Sequence, residues 1–145
     1  MPELTVLSGR EASIFACLTD TVVGPEPVLP PVRETDAVQF LDEWLSLMPR
    51  QNRAGMRALL FAAELSPIAT GFGRRLRRLD RARRGDWLRA LEGAPVTQVR
   101  LLTKLIASAA QLAYYGNDRV LGALGYDADA NVERGRRLRA AEGRP

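Results

Sequence analysis

Any chemistry in this chain has to be done without histidine, because none of its 145 residues is one. That removes the commonest general base, the commonest zinc and haem ligand, and every Ser–His or Cys–His nucleophile pair. The single cysteine, Cys17, lies in an apolar helical pattern and reads as a packing residue rather than a reactive thiol. No G-x-G-x-x-G, P-loop, C-x-x-C or H-E-x-x-H motif occurs, and no carboxylate pair is tied to a plausible pocket. The residues that stand out are binding residues. Seven arginines (Arg74, Arg75, Arg77, Arg78, Arg81, Arg83 and Arg84) fall in one short window, opposed there by Asp80 alone. Like charges packed so tightly repel, so outside negative charge is expected to compensate them. There is little aromatic interleaving for stacking on bases and no helix-turn-helix signature, which favours an acidic protein surface over nucleic acid. The other feature is Tyr114-Tyr115, either two ring anchors at a helix end or a ring offered to a partner.

The elements that must position these residues are helical. Ser8-Gly9-Arg10-Glu11 has the form of a capping box, and Ile14, Phe15, Leu18 and Val22 follow on one face, predicting a helix over about 9–23. Pro25, Pro27, Pro30 and Pro31 forbid helix and predict an extended strap. Thr35 or Asp36 is placed to cap a second helix with Phe40, Leu41, Trp44 and Leu45 inward and Asp42 and Glu43 outward. A third helix, starting at Arg50 or capped by Asn52, buries Met56, Leu60 and Ala63 and is expected to stop at Ser66-Pro67. Leu76 and Leu79 anchor a turn, and Asp80 caps a helix carrying Trp87, Leu88 and Leu91.

From Pro95, placed in a first helical turn, Val99, Leu102, Leu105, Ile106, Ala109, Leu112 and Ala113 recur at helical steps. Between Pro95 and Asp118 the charges are Arg100 and Lys104 alone, which predicts a long helix buried on most sides. On that phase Leu112→Ala would cost about 2–5 kcal/mol. Gly116 is expected to end this helix in the left-handed conformation, Asn117 to cap a short one, and Gly125 to close that in turn. No segment alternates with period two. The fold class is therefore all-α: one domain over 1–127, with five to seven helices around a central long buried helix. Residues 128–145 read as a polar, basic tail, frayed or laid on a partner.

Charge divides along the chain. Residues 1–70 carry five Arg against nine Asp or Glu, and residues 71–145 carry sixteen Arg or Lys against eight, so the overall +4 hides a dipolar sequence. The N-terminal MPELTVLSGRE has no basic region followed by an apolar run, and no stretch is apolar enough to span a bilayer, so the expectation is a cytoplasmic protein.

Several segments, in order, resemble one family. They are Leu7-Ser8 with its helix to Asp20-Thr21-Val22-Val23, the proline-rich strap, Phe72 with the arginine–leucine turn before Asp80, and Trp87-Leu88. The most specific is Leu112-Ala113-Tyr114-Tyr115-Gly116-Asn117-Asp118-Arg119-Val120 followed by Leu124-Gly125-Tyr126. Over about residues 5–127 the chain is similar to the small helical subunit of flavin-dependent dehydrogenases, the gluconate 2-dehydrogenase subunit 3 family. It also resembles helical segments fused to some glucose-methanol-choline (GMC) oxidoreductases. The resemblance implies a non-catalytic accessory subunit that binds and stabilises a large FAD-bearing GMC-type oxidoreductase acting on an alcohol, sugar or sterol-like substrate. It implies no cofactor on this chain, with FAD on the partner. Many members begin with a twin-arginine export signal, absent here, which turns the expectation toward a cytoplasmic complex. The expected partner-binding residues are Arg77, Arg78, Arg81, Arg84, Tyr114, Tyr115, Asn117, Arg119 and Tyr126. The alternative is a stand-alone helical module using residues 74–84 on nucleic acid or another anionic surface.

Overall fold

A computed structural model describes residues 3–24 and 26–143. Seven α-helices and two 3₁₀ turns follow one another, and no strand occurs among the described residues: α1 Gly9–Val23, a turn at Val32–Glu34, α2 Ala37–Ser46, α3 Arg50–Ala69, a turn at Leu76–Arg78, α4 Arg81–Glu92, α5 Thr97–Tyr115, α6 Asp118–Ala123 and α7 Ala128–Ala141. The all-α class and the helix number are as the sequence predicts.

The helix at the centre is α1, which packs against α2, α3, α4, α5 and both 3₁₀ turns. Its entry is fixed locally. The Ser8 hydroxyl accepts from the Glu11 amide, and the Glu11 carboxylate accepts from the Ser8 amide, so two orphan N–H donors are satisfied reciprocally. Ile14, Phe15 and Leu18 are then buried at the middle of the bundle.

The chain before α1 is held by a residue the periodicity places outward. Asp42, on α2, is 3% exposed. Its carboxylate accepts from the amides of Thr5 (2.7 Å), Val6 (2.9 Å) and Leu7 (2.7 Å) and from the Thr5 hydroxyl (2.9 Å). Three successive amides gripping one anion form a nest, and the four bonds replace the water lost on burial. Glu43 does face solvent. Burial opposes ionisation of Asp42, but the amides of Leu7, Thr5 and Val6 outweigh it and hold the carboxyl below its ordinary value. At Glu11 burial is likewise outweighed, here by Arg57 and Ser8.

Helix α3 begins at Arg50 and runs through Pro67 to Ala69, past the predicted stop. A proline leaves the carbonyl four residues back without its donor. That carbonyl, on Ala63, accepts from the Ser66 hydroxyl at 3.3 Å, and Ser66 Oγ accepts from the Trp87 indole N–H at 3.0 Å. The break is thus repaired by side chains. The turn at Leu76–Arg78, the buried Leu76 and Leu79, and the Asp80 cap on the Arg83 amide are as expected.

Helix α5 corrects the predicted phase. It starts at Thr97, two residues after Pro95, and its buried face is Thr103, Ile106, Ala109, Ala110, Ala113 and Tyr114. Leu102, Leu105 and Leu112 are exposed, Leu112 at 56%. The small side chains let α5 approach α1 closely, and the Thr103 hydroxyl is satisfied by the Val99 carbonyl at 2.7 Å. The helix is therefore buried on one side and leucine-rich on another. Gly116 has φ −77° rather than the left-handed value; glycine is needed because a Cβ there would lie 2.8 Å from the Leu112 carbonyl oxygen. Gly125, at φ 69°, is left-handed as expected.

The 128–145 tail is helical up to Ala141. Asp127 caps the Ala130 amide at 3.0 Å, and Glu133 pairs with Arg137 one turn on, the favourable orientation for an i,i+4 pair. No residue of α7 is buried. Pro25, part of the predicted strap, lies outside the described residues, as do residues 144–145 of the tail. The rest of the strap turns at Glu26–Leu29 and is extended at Pro31.

Leu112→Ala should alter stability by no more than about 0.5 kcal/mol, whereas Leu41→Ala, fully buried on α2, should cost about 2–5 kcal/mol by urea denaturation. Asp42→Asn should cost about 3 kcal/mol at neutral pH, because three amides lose a charged acceptor. A carboxyl held low in the folded state stabilises above its unfolded value, near 3.9, and that contribution disappears as pH falls through the folded value. Parent and Asp42→Asn denaturation midpoints should therefore converge in acid; a constant gap down to the lowest pH would contradict the nest.

Candidate functional site

The arginine segment separates into two sets once its partners are known. Arg77 donates from its backbone and its Nε to Glu64, the latter at 3.0 Å, and Glu64 is buried on α3. Arg81 and Arg84 both pair with Asp20 at 3.2 Å. Arg84 also donates to the Cys17 sulfur at 2.9 Å. Arg83 donates to the Phe72 carbonyl and lies over its ring. These four arginines bind the chain to itself: they fasten the 3₁₀ turn to α3, the start of α4 to the end of α1, and α4 to the Phe72 turn. The expectation that outside negative charge compensates Arg77, Arg81 and Arg84 is therefore corrected: their carboxylates lie within the chain. Their carboxylates lie 13 and about 60 residues away in sequence, so no local spacing announces the pairs.

Arg74, Arg75 and Arg78 are different. All three are exposed, and their side chains engage no described residue. Of the arginines expected to meet a partner, Arg78 is the one left unengaged in this segment.

Cys17 is half-buried and free. Burial raises its thiol pKa against the opposing pull of Arg84, which fits a packing cysteine.

The tyrosine corner also divides. Tyr114 is buried, and its hydroxyl donates to the Pro30 carbonyl at 2.7 Å, fastening the proline strap to α5. Burial, with the charges of Tyr115 and Glu26, raises its pKa. Asn117 is buried too. Its carbonyl oxygen caps α6 on the Arg119 and Val120 amides, and its amide donates to Asp36 at 2.6 Å. Arg119 reaches the Glu34 carbonyl at 3.2 Å. Tyr115 stands edge-on to Tyr114, centroids 5.1 Å apart, and is 39% exposed; Tyr126 is 53% exposed. Tyr114 and Asn117 thus build the corner, and Tyr115 and Tyr126 face outward from it.

Periodicity alone misses an outward apolar face. Leu101, Leu105 and Leu112 lie along one side of α5, with Tyr115 at its end and Leu124 beyond. Leu102 and Leu105 continue into an apolar groove beside α3. One section of the groove, about 340 Å³, is walled by Trp44, Met48, Met56 and Leu59; a second, about 130 Å³, adds Leu88, Leu91 and Val99. The signal was present in the sequence: α5 has more leucine than one face can hold.

A cleft of about 540 Å³ between the end of α1 and the strap has Asp20, Glu26, Arg81 and Tyr114 on its walls, but Asp20 and Arg81 already neutralise each other there. Among the described residues no three His, Cys, Asp or Glu side chains come together as a metal-binding group, and no helix is long and apolar enough to cross a membrane. No family model, curated protein or solved structure matches the chain.

The division among arginines predicts a split in stability. Arg77→Gln leaves the Glu64 carboxylate buried without its cation and should cost about 1–3 kcal/mol. Arg74→Gln, Arg75→Gln and Arg78→Gln should each stay within about 0.5 kcal/mol of the parent in thermal or urea unfolding.

Proposed function

We propose that this chain is a non-catalytic accessory subunit that binds and stabilises a large FAD-dependent GMC-type oxidoreductase subunit acting on an alcohol, sugar or sterol-like substrate, in the cytoplasm. Flavin chemistry belongs to the partner, and this chain contributes surface. The family resemblance of residues 112–126 supports the identity of that partner. The observation that carries the binding role is the second apolar face of α5, where Leu101, Leu105 and Leu112 stand in solvent beside an apolar groove. Exposed leucines at helical spacing, with aromatic rings at one end, are what a protein interface buries at its centre. Tyr115 at the end of α5 extends this face, Tyr126 is exposed after α6, and Arg119 reaches the Glu34 carbonyl of the first 3₁₀ turn.

The alternative is a stand-alone helical module acting on an anionic surface. The observation favouring it is the unengaged set Arg74, Arg75 and Arg78.

Affinity purification of the tagged chain from its native cells tests the proposal. The expected result is a larger, flavin-absorbing protein recovered with it. Leu105→Glu with Leu112→Glu should abolish that recovery while the variant alone melts within a few degrees of the parent, since both side chains are exposed. Recovery of no flavoprotein by the parent chain would overturn the assignment of the partner.

A further inference from the structure

The three free arginines are a shaped site. Gly71 and Gly73 hold left-handed backbone, φ 88° and 74°, on either side of Phe72 and turn the chain out of α3 toward the 3₁₀ turn. In a 3₁₀ turn side chains three residues apart eclipse one another. Leu76 and Leu79 therefore point together into the core, and Arg75 and Arg78 fall together on another side, closed by the Arg78 amide on the Arg75 carbonyl at 2.8 Å. Arg77, on the third side, is fixed to Glu64. With Arg74, Gly73 and Ile68 of α3, Arg75 and Arg78 surround an open hollow of about 460 Å³ whose lining, among the described residues, includes no carboxylate.

We infer that this hollow receives an acidic segment of a partner protein that also carries apolar side chains. Three guanidinium groups with no anion among the described residues supply the charge, and two buried leucines and the Glu64 pair hold the turn that carries them, so little order has to be gained on binding. Exposed Ile68 lies in the hollow, and exposed Leu65 lies one turn before it on the same helix. A cationic hollow beside an aliphatic strip matches alternating acidic and apolar side chains. It does not match a polyphosphate track. Arg77, Arg81, Arg83 and Arg84 are occupied internally, so three phosphates at most would be neutralised here, giving a salt slope of only about 3. The nearby ring of Phe72 has Arg83 over one of its faces at 5.8 Å, which leaves that face to the guanidinium rather than to a base. The inference deepens the accessory-subunit reading and rests on it for placing the acidic segment on the oxidoreductase; the chemistry of the hollow is tested without that protein.

Fluorescence anisotropy of the full chain at physiological salt provides the test. The probes are a labelled peptide of alternating Glu or Asp and Leu, the same peptide with serine for leucine, and a single-stranded oligodeoxynucleotide of equal charge. The expected result is binding of the leucine peptide at least about tenfold tighter than either other probe. Arg74→Gln with Arg75→Gln and Arg78→Gln should remove it. Arg134→Gln with Arg136→Gln and Arg139→Gln, an equal charge change on α7, should leave it within about twofold. Equal loss in the α7 variant would reduce the effect to net charge and overturn the site. Equal or tighter binding of the oligonucleotide, lost in the Arg74/Arg75/Arg78 variant, would reassign the surface to nucleic acid. No peptide binding, or equal binding of the serine peptide, would also overturn it. A flavoprotein recovered through the α5 face despite a failed peptide assay would leave the subunit proposal standing without this site.

Discussion

The fold depends on burying three carboxylates, each gripped by a segment from elsewhere in the sequence. Asp42 on α2 holds the amides of residues 5–7. Glu11 at the start of α1 caps its own helix and takes Arg57 of α3 at 2.6 Å. Glu64 on α3 takes Arg77 and sets the 3₁₀ turn before α4. A buried anion costs several kcal/mol unless its lone pairs are filled, and at each of these sites donors are brought in by chain that has no regular hydrogen bonding of its own or by a neighbouring helix. The carboxylates thus do for the connections what apolar packing does for the helices.

Arginine is what makes the scheme workable in a small helical bundle. Its fork reaches from the surface to a buried carboxylate and keeps its stem along apolar side chains. Arg57 and Arg77 use that reach on Glu11 and Glu64, Arg81 and Arg84 meet the partly exposed Asp20, and Arg83 takes the Phe72 carbonyl, which is why a segment of such charge density can be part of the fold. The same segment then leaves Arg74, Arg75 and Arg78 in solvent, because the 3₁₀ turn separates side chains into thirds and the core takes only the leucines.

The two sides of α5 follow from size. Against α1 the helix presents threonine, alanine and a tyrosine whose hydroxyl is satisfied by the strap, a combination that permits close approach. Its leucines are too many for that contact and stand on another face beside the α3 groove. Intrachain packing therefore leaves apolar surface in place, and with it the material of an interface.

The sequence alone determined the elements whose cause is local. The Ser8–Glu11 capping box, the Asp80 and Asn117 caps, the left-handed Gly125 and the turn anchored by Leu76 and Leu79 all act within four residues of chain, and each is where its residues say. Tertiary structure decided the rest. Asp42 faces inward because residues 5–7 bring it donors from more than thirty positions away. Helix α3 passes Pro67 because Ser66, itself held by Trp87 of α4, fills the carbonyl the proline leaves open. Helix α5 turns its alanines rather than its leucines to α1, because hydrophobic periodicity weighs side chains by apolarity while close packing selects them by volume. Which arginines are spent on the fold and which remain free depends on where Asp20 and Glu64 come to lie, and that is fixed only when α1, α3 and α4 have packed.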